Sequence, residues 1–261
     1  MAKALAMFTD TSVCIGCRAC QVACKQWNQL SWEEPVWTGS YQNQPHFTNK
    51  TWRLVRFVEK KDAKGDPKWL LMSDVCKHCV QAGCLEACPT GAIYRTQFGT
   101  VNVNQDVCNG CRNCVSSCPF GVIAFSHETG RVNKCTFCND RIHNNMPTAC
   151  AKTCPTQSIQ FGEREELVAR AKRRLVELRA QGEKEANLYG VDEKGPLGGL
   201  NAFFLLLDKP SNYGLPEEPK LPQRNVKTDS AFSIGSALLV GAGLMMAFRE
   251  RGGNGDSGGE E

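Results

Sequence analysis

Sixteen cysteines stand in four runs of four, with none left over. The runs are Cys14-x2-Cys17-x2-Cys20-x3-Cys24, Cys76-x2-Cys79-x4-Cys84-x3-Cys88, Cys108-x2-Cys111-x2-Cys114-x3-Cys118 and Cys135-x2-Cys138-x11-Cys150-x3-Cys154. Thiols at this density either cross-link as disulfides or bind metal as thiolates. Disulfide scaffolds are typically small secreted chains. This chain has 261 residues, and Met1–Asp10 contains no apolar stretch of signal-peptide length. Metal is the expected use. With no export signal of its own expected, the compartment stays open, because a folded subunit can cross a membrane with a signal-bearing partner.

Two metal chemistries compete. Structural zinc takes four ligands, usually as two C-x2-C pairs or as Cys/His mixtures. The run C-x2-C-x2-C-x3-C followed by proline is instead the bacterial ferredoxin signature for [4Fe–4S] clusters. Group three carries it in full with Pro119, and groups two and four end likewise in Pro89 and Pro155. Three closely spaced thiolates can wrap one face of a cubane while loop N–H groups point at the sulfides. In such ferredoxins the fourth cysteine is expected to open a helix, point away and ligate the other cluster. The proline fixes φ there and needs no N–H partner. A triplet plus a singleton, repeated four times, favours iron–sulfur over zinc.

The phrases after the prolines also repeat. Cys88-Pro-Thr-Gly-Ala-Ile93, Cys118-Pro-Phe-Gly-Val-Ile123 and Cys154-Pro-Thr-Gln-Ser-Ile159 are copies of one unit, which points to duplicated modules. The first group ends in Cys24-Lys25, without proline. The ferredoxin rule pairs the neighbouring groups two and three. One cluster would take Cys76, Cys79, Cys84 and Cys118, the other Cys88, Cys108, Cys111 and Cys114. Groups one and four then pair across the insertion: Cys14, Cys17, Cys20 with Cys154, and Cys24 with Cys135, Cys138, Cys150. This pairing is nested, and it follows from the rule rather than from spacing alone.

These groups need positioning elements. The expected fold is α+β, with two ferredoxin-like two-cluster units, one nested in the other. Residues 1–75 and 124–165 form the outer unit and 76–123 the inserted one. Thr51–Glu59 reads as a strand, and Thr100–Asn104 alternates as a short one. Segment 163–228 holds a helix, a strand and a connector. Leu167, Val168, Ala171, Leu175 and Leu178 share one stripe of a helix over 163–181, opened by glutamates and stopped by Gly182. Asn201–Leu207 reads as a buried strand, and Pro210, Pro216, Pro219 and Pro222 as an extended, wandering connector.

Ala231–Phe248 is 18 residues without a charge, about 27 Å of helix, the minimum to cross a membrane. A transmembrane helix is expected over 229–250, with a flexible polar tail over 251–261. Ser233, Ala237 and Gly241 would give it a small-residue face for another such helix. A buried helix remains the alternative. Lys220, Arg224 and Lys227 before it and Arg249 and Arg251 after it leave its orientation undecided. It has no histidine and so cannot hold a bis-histidine haem alone.

Charge and composition exclude other classes. The net charge is +4, with 41% apolar and 22% charged residues. That is too mild for nucleic acid and too apolar for wholesale disorder. Sixteen thiolates set against four dicationic cores would bring the net charge to about −4. Such clusters need cations or amide dipoles nearby. Arg18, Lys25, Lys77, Arg112, Lys134 and Lys152 lie in or beside the cysteine runs and are candidates for tuning a potential or for plain surface solubility. The histidines, His46, His78, His127 and His143, show no metal-ligand spacing. No nucleophile–base arrangement, G-x-G-x-x-G or P-loop is present, so no catalytic residue is expected.

Four such groups in this order resemble the electron-transfer subunits of the molybdopterin oxidoreductases, over residues 14–161. Further stretches are similar to the β subunits of membrane-bound formate dehydrogenases. These are Thr51-Trp-Arg-Leu-Val-Arg-Phe57, Cys135-Thr-Phe-Cys-Asn-Asp-Arg141 running to Ala149-Cys-Ala-Lys-Thr-Cys-Pro155, Gly214-Leu-Pro-Glu-Glu-Pro-Lys220 and the single C-terminal apolar span. The resemblance implies four [4Fe–4S] clusters in a line. They would carry electrons from a catalytic subunit with a Mo or W bis-pterin cofactor to a membrane cytochrome b and quinone. Nitrate reductase relatives have Trp in place of one ligand of the third group. Here Cys108, Cys111, Cys114 and Cys118 are all present, which implies four cubanes. The resemblance also implies a hydrophilic arm in the periplasm, co-exported with the catalytic subunit, though a cytoplasmic arm is known in relatives. The same relay in a sulfur, selenium or sulfoxide reductase stays open, and so does a free-standing soluble ferredoxin.

Overall fold

The computed structural model describes residues 4–61, 65–222 and 226–253. The chain divides into two compact units, Met1–Leu221 and Pro222–Glu261. The first unit holds every cysteine. Its elements begin with β1 (Leu5–Asp10), α1 (Ala19–Trp27), β2 (Arg53–Lys61), β3 (Pro67–Val75), α2 (Gly83–Glu86), β4 (Ile93–Arg95) and β5 (Val101–Val103). They continue with α3 (Asn113–Ser116), β6 (Ala124–Ser126), β7 (Arg131–Asn133), α4 (Asn139–His143), α5 (Ala149–Thr153) and β8 (Ile159–Glu163). The unit closes with α6 (Arg164–Ala180), β9 (Asn187–Tyr189) and β10 (Ala202–Leu206). This is the expected mix of helix and strand.

One four-stranded sheet, ordered β8-β1-β10-β9, frames the unit. β1 runs parallel to β10 and antiparallel to β8. Successive side chains of a strand point to opposite faces. Met7 therefore enters the core that contains the cysteines, while Ala6 and Phe8 enter a second core with Phe203, Phe204 and the α6 stripe. Covered on both faces, β10 is continuously apolar and β1 is so over Leu5–Phe8, rather than alternating. In α6, Leu167, Ala171 and Leu178 are buried, and Val168 and Leu175 pack beside them. Three two-stranded pairings, β2 with β3, β4 with β5 and β6 with β7, carry the loops between cysteine groups.

Several expectations are corrected. β1 and β3 are strands that the residue pattern did not suggest. β3 is Pro-Lys-Trp-Leu-Leu-Met-Ser-Asp-Val, with no clean alternation, because its C-terminal half is buried on both sides. The proline-rich connector does not wander. A 3-10 turn at Pro210–Tyr213 places Tyr213 at 0% exposure, and Leu215 and Leu221 are buried too. Tyr213 Oη accepts the Leu207 N–H at 3.2 Å and lies 3.4 Å from Thr11 Oγ1, which donates to Leu205 O at 2.8 Å. The segment is thereby tied to both parallel strands.

The second unit contains α7 (Val226–Gly253). Its stretch Ser230–Phe248 has a mean hydropathy of 1.9, long and apolar enough to cross a membrane. Phe232, Leu238, Leu239, Met245 and Met246 are exposed. Residues 251–253 are its last residues rather than the start of a tail, and 254–261 lie outside the described residues.

Tyr213→Phe is expected to orphan the Leu207 N–H and cost about 1–2 kcal/mol, and Tyr213→Ala about 3–5 kcal/mol. Anaerobic denaturant unfolding checks both. No change for either would mean that the connector is not anchored by this ring.

Candidate metal centres

All sixteen cysteines are free thiols. Each run begins with a C-x-x-C turn whose third residue lies in the left-handed region: Gly16 at φ +66°, His78 at +44°, Gly110 at +71° and Phe137 at +59°. Glycine adopts this conformation without cost, and bulkier residues pay strain. Such turns aim successive backbone N–H groups at one point. The Phe137 N–H donates to Cys135 Sγ at 3.3 Å. In groups one and three the next residue but one, Arg18 or Arg112, is also left-handed, and α1 or α3 starts just after it.

In each run a helix starts one residue before the third cysteine. Cys20 and Cys24 are within α1, Cys84 and Cys114 sit in α2 and α3, and Cys150 sits in α5. Cys88 and Cys118 follow the ends of α2 and α3, and Cys154 is the C-cap of α5. In groups two, three and four the fourth cysteine thus follows or caps the end of a helix, and Cys24 lies inside α1; none opens a helix, contrary to the expectation. The fourth cysteine follows the third by four residues, one turn or about 6 Å further along, which separates its thiol from the triplet.

Helix packing then decides which thiols meet. α1 packs against α5, and α2 against α3. Cys14, Cys17, Cys20 and Cys154 line one small cavity. Cys24, Cys135, Cys138 and Cys150 line another. Cys88, Cys108, Cys111 and Cys114 line a third. Cys79 has Cys76, Cys84 and Cys118 as its charge neighbours. We call these gatherings A, B, D and C respectively. Among the described residues, no three Cys, His, Asp or Glu side chains converge tightly enough for a single ion. Gatherings A, B and D surround a void instead, which suits a polynuclear core better than a lone zinc.

The electrostatics fit a cationic guest. Burial, reinforced by neighbouring thiolates, pushes the Cys20 thiol up to about 11 and the Cys24 thiol up to about 12. Burial likewise takes Cys84 to about 12, and Cys114 and Cys138 to about 11. Cys79 and Cys135 are raised well above the usual thiol value for the same reasons. Thiols pressed together in this way favour deprotonation only when a cation joins them. Cys88 is the exception. Burial raises it, but the N–H groups of Ile93, Thr90 and Ala92 and the Thr90 hydroxyl bring it below its usual value. The repeated Cys-Pro-Thr phrase places Thr90 Oγ1 at 3.7 Å from Cys88 Sγ and Thr156 Oγ1 at 3.8 Å from Cys154 Sγ.

The gatherings are linked in succession. Arg53 lines B and donates to Ser73, which lines A. His78, from a C loop, meets Phe137, from a B loop, edge to face at 4.7 Å. Cys84 of C and Cys114 of D are charge neighbours. Cys17 in A and Cys111 in D are exposed.

The six cationic candidates separate by burial. Lys77 is buried, binds Asp74 and Val75 O, and faces the rings of Phe120 and Phe204. Lys134 is buried, binds the carbonyls of Val101 and Cys135, and lowers Cys84. Arg18 and Arg112 stack on Phe57 and Phe125, Lys25 ties down the Ser31 and Lys50 carbonyls, and Lys152 is exposed. Arg53 was missed, because it lies in a strand far from any cysteine in sequence. It is 1% exposed. Burial weakens its charge, but Cys150, Cys20, Cys135 and Cys24 outweigh that and hold it above the usual guanidinium value. Its only signal was a charged residue on the inward side of Thr51–Glu59.

These loops and gatherings define a dicluster iron–sulfur protein. Residues 13–92 and 67–164 each match a family described as a 4Fe-4S dicluster domain. The chain is 39% identical to the iron–sulfur subunit of the nitrate-inducible formate dehydrogenase of Escherichia coli K12, over 83% of this chain and 74% of that one. It is 40% identical to the formate dehydrogenase-O iron–sulfur subunit of the same organism, over 84% and 73%. It is 32% identical to formate dehydrogenase 2 subunit beta (cytochrome c-553) of Nitratidesulfovibrio vulgaris, over 80% and 95%. The chain belongs to the family of formate dehydrogenase iron–sulfur subunits, which are electron-transport proteins.

A Cβ on Gly110 would stand 2.0 Å from Gly130 O, whereas one on Gly91 would meet nothing within 4 Å. Gly110→Ala is expected to cost one cluster's worth of bound iron, about four atoms per chain, with Gly91→Ala unaffected. Metal analysis of the purified variants checks this. Full iron in Gly110→Ala would mean that the turn yields.

Proposed function

We propose that this chain relays electrons through four [4Fe–4S] clusters, from a Mo- or W-bis-pterin subunit that oxidises formate to a membrane cytochrome b and thence quinone. The observation that carries this reading is the succession of four four-cysteine gatherings, reaching solvent at Cys17 and at Cys111, in a chain about 40% identical to formate dehydrogenase iron–sulfur subunits.

The ligand sets are Cys14, Cys17, Cys20 and Cys154; Cys24, Cys135, Cys138 and Cys150; Cys76, Cys79, Cys84 and Cys118; and Cys88, Cys108, Cys111 and Cys114. When bound, each cluster supplies one-electron redox chemistry. The chain's residues do the rest. The left-handed turns direct N–H groups at sulfur, the two cores keep water away, and Arg53, Lys77 and Lys134 offset negative charge in a low dielectric. The packing of α1 on α5 and of α2 on α3 supports an outer unit, 1–75 with 124–165, around an inserted unit, 76–123. Substrate chemistry is left to the catalytic subunit.

Ser230–Phe248 anchors the chain in the membrane beside the cytochrome b. The hydrophilic arm lies in the periplasm, reached by co-export with the catalytic subunit. At the Cys17 end, Ile15, Val36, Trp37 and Tyr41 form an exposed apolar surface around a shallow groove, as protein contacts do. A second reading makes a soluble c-type cytochrome the acceptor, on the strength of the cytochrome c-553 in one relative's name. The apolar length of α7 favours the membrane route.

EPR of the detergent-solubilised native complex, before and after formate, tests the reading. Rapid appearance of reduced [4Fe–4S] signals is expected. Clusters that reduce with dithionite but ignore formate would contradict it and assign the relay to another molybdopterin partner, such as a sulfoxide reductase.

A further inference from the structure

Among the described residues, Arg53 is the most buried charge whose hydrogen bonds go only to neutral atoms. Its Nη1 donates to Ser73 Oγ at 2.8 Å and its Nη2 to Met7 Sδ at 2.7 Å. The pleat explains why no carboxylate reaches it. Arg53 pairs with Val75 and Val55 with Ser73, so Arg53 and Ser73 lie diagonally on one face of the β2–β3 ribbon. Asp74 points to the other face, where Arg56 binds it at 3.2 Å and Lys77 also binds it. A guanidinium sealed in a core without a counter-ion is strongly destabilising. Its counter-charge must come from what surrounds it, and what surrounds it is cysteine.

Two cavities meet at this side chain. Arg53 itself lines the one walled by Cys24, Cys135, Cys138 and Cys150. Ser73 lines the one walled by Cys14, Cys17, Cys20 and Cys154, and its Oγ is 3.1 Å from Cys20 Sγ. Ser73 Oγ accepts from Arg53, so its own proton is free to be donated to a Cys20 thiolate. One charge is thus presented directly to one gathering and through a hydroxyl to the next.

We propose that Arg53, with Ser73 as its relay, is a positioning residue that raises the reduction potentials of both the cluster of Cys24, Cys135, Cys138 and Cys150 and the cluster of Cys14, Cys17, Cys20 and Cys154. This rests on the four-cluster reading above. Reduction adds one electron and one negative charge to a cluster. Arg53 holds its proton throughout, so its positive charge is present before and after the electron arrives. Charge and hydrogen bonds to sulfur are two of the levers that set such potentials.

The test is an EPR-monitored, mediator-poised redox titration of the detergent-solubilised complex with Arg53→Met, Arg53→Lys and Ser73→Ala. Signals are assigned beforehand with Cys17→Ser and Cys138→Ser. Arg53→Met is expected to make reduction of clusters A and B at least tenfold less favourable, a downward shift of about 59 mV or more, with C and D unmoved. Arg53→Lys should restore most of B. Ser73→Ala should lower A alone. Unmoved potentials in Ser73→Ala and in a loaded Arg53 variant, or an equal shift of all four, would overturn the proposal. Should Arg53→Met fail to load its clusters, Ser73→Ala decides: a lowered potential of cluster A alone supports the proposal, and an unmoved one overturns it. Failure of the underlying reading shows separately, as fewer than four centres or iron far below about 16 per chain in the unaltered protein.

Discussion

The first three thiols of a run, within seven residues in groups one and three, can line only one side of a cavity. The remaining side has to come from elsewhere in the chain, and this requirement shapes the whole first unit. The single turn of helix after each third cysteine carries the next thiol out of its own gathering. Packing α1 on α5 brings Cys154 to Cys14 and Cys24 to Cys150, across well over a hundred residues of sequence. The sheet that joins β1 to β8 and β10 then closes around the pairing, so that the N-terminal strand and the segment after the last cysteine become neighbours.

The same arrangement concentrates negative charge where water is absent. The protein answers with oriented N–H groups at the turn residues and with three buried cations, Arg53, Lys77 and Lys134. Their placement differs in kind. Lys77 already has Asp74 and serves structure as well as charge. Lys134 is held by carbonyls beside Cys135 and acts on Cys84, at the passage from B to C. Arg53 stands at the passage from A to B. At the B–C junction the strained turn residues His78 and Phe137 pack on each other, so the two groups that lack glycine at this position place their bulky rings together.

The cysteine runs were legible because thiol spacing within a turn is a local property. The stripe of α6 was legible for the same reason, since three turns of one face repeat the same demand. What escaped was set by distant partners. β3 has no alternation to read, because its C-terminal half is covered on both sides. The helix after the third cysteine was misplaced by one cysteine, since a single turn leaves almost no periodic signal. The Pro-rich segment looked like a free connector because Tyr213 finds its partners on strands some two hundred residues earlier and six residues back. Arg53 was invisible for the clearest reason: its function depends on two gatherings, neither near it in sequence.

The central claim is that each cluster takes its fourth ligand from another group. EPR of cluster-specific variants tests it most directly, comparing Cys154→Ser with Cys17→Ser and Cys138→Ser. The account predicts that Cys154→Ser disturbs the same signal as Cys17→Ser and spares the one disturbed by Cys138→Ser. A Cys154→Ser spectrum matching that of Cys138→Ser would mean that each run of four cysteines serves its own cluster, and would contradict the account.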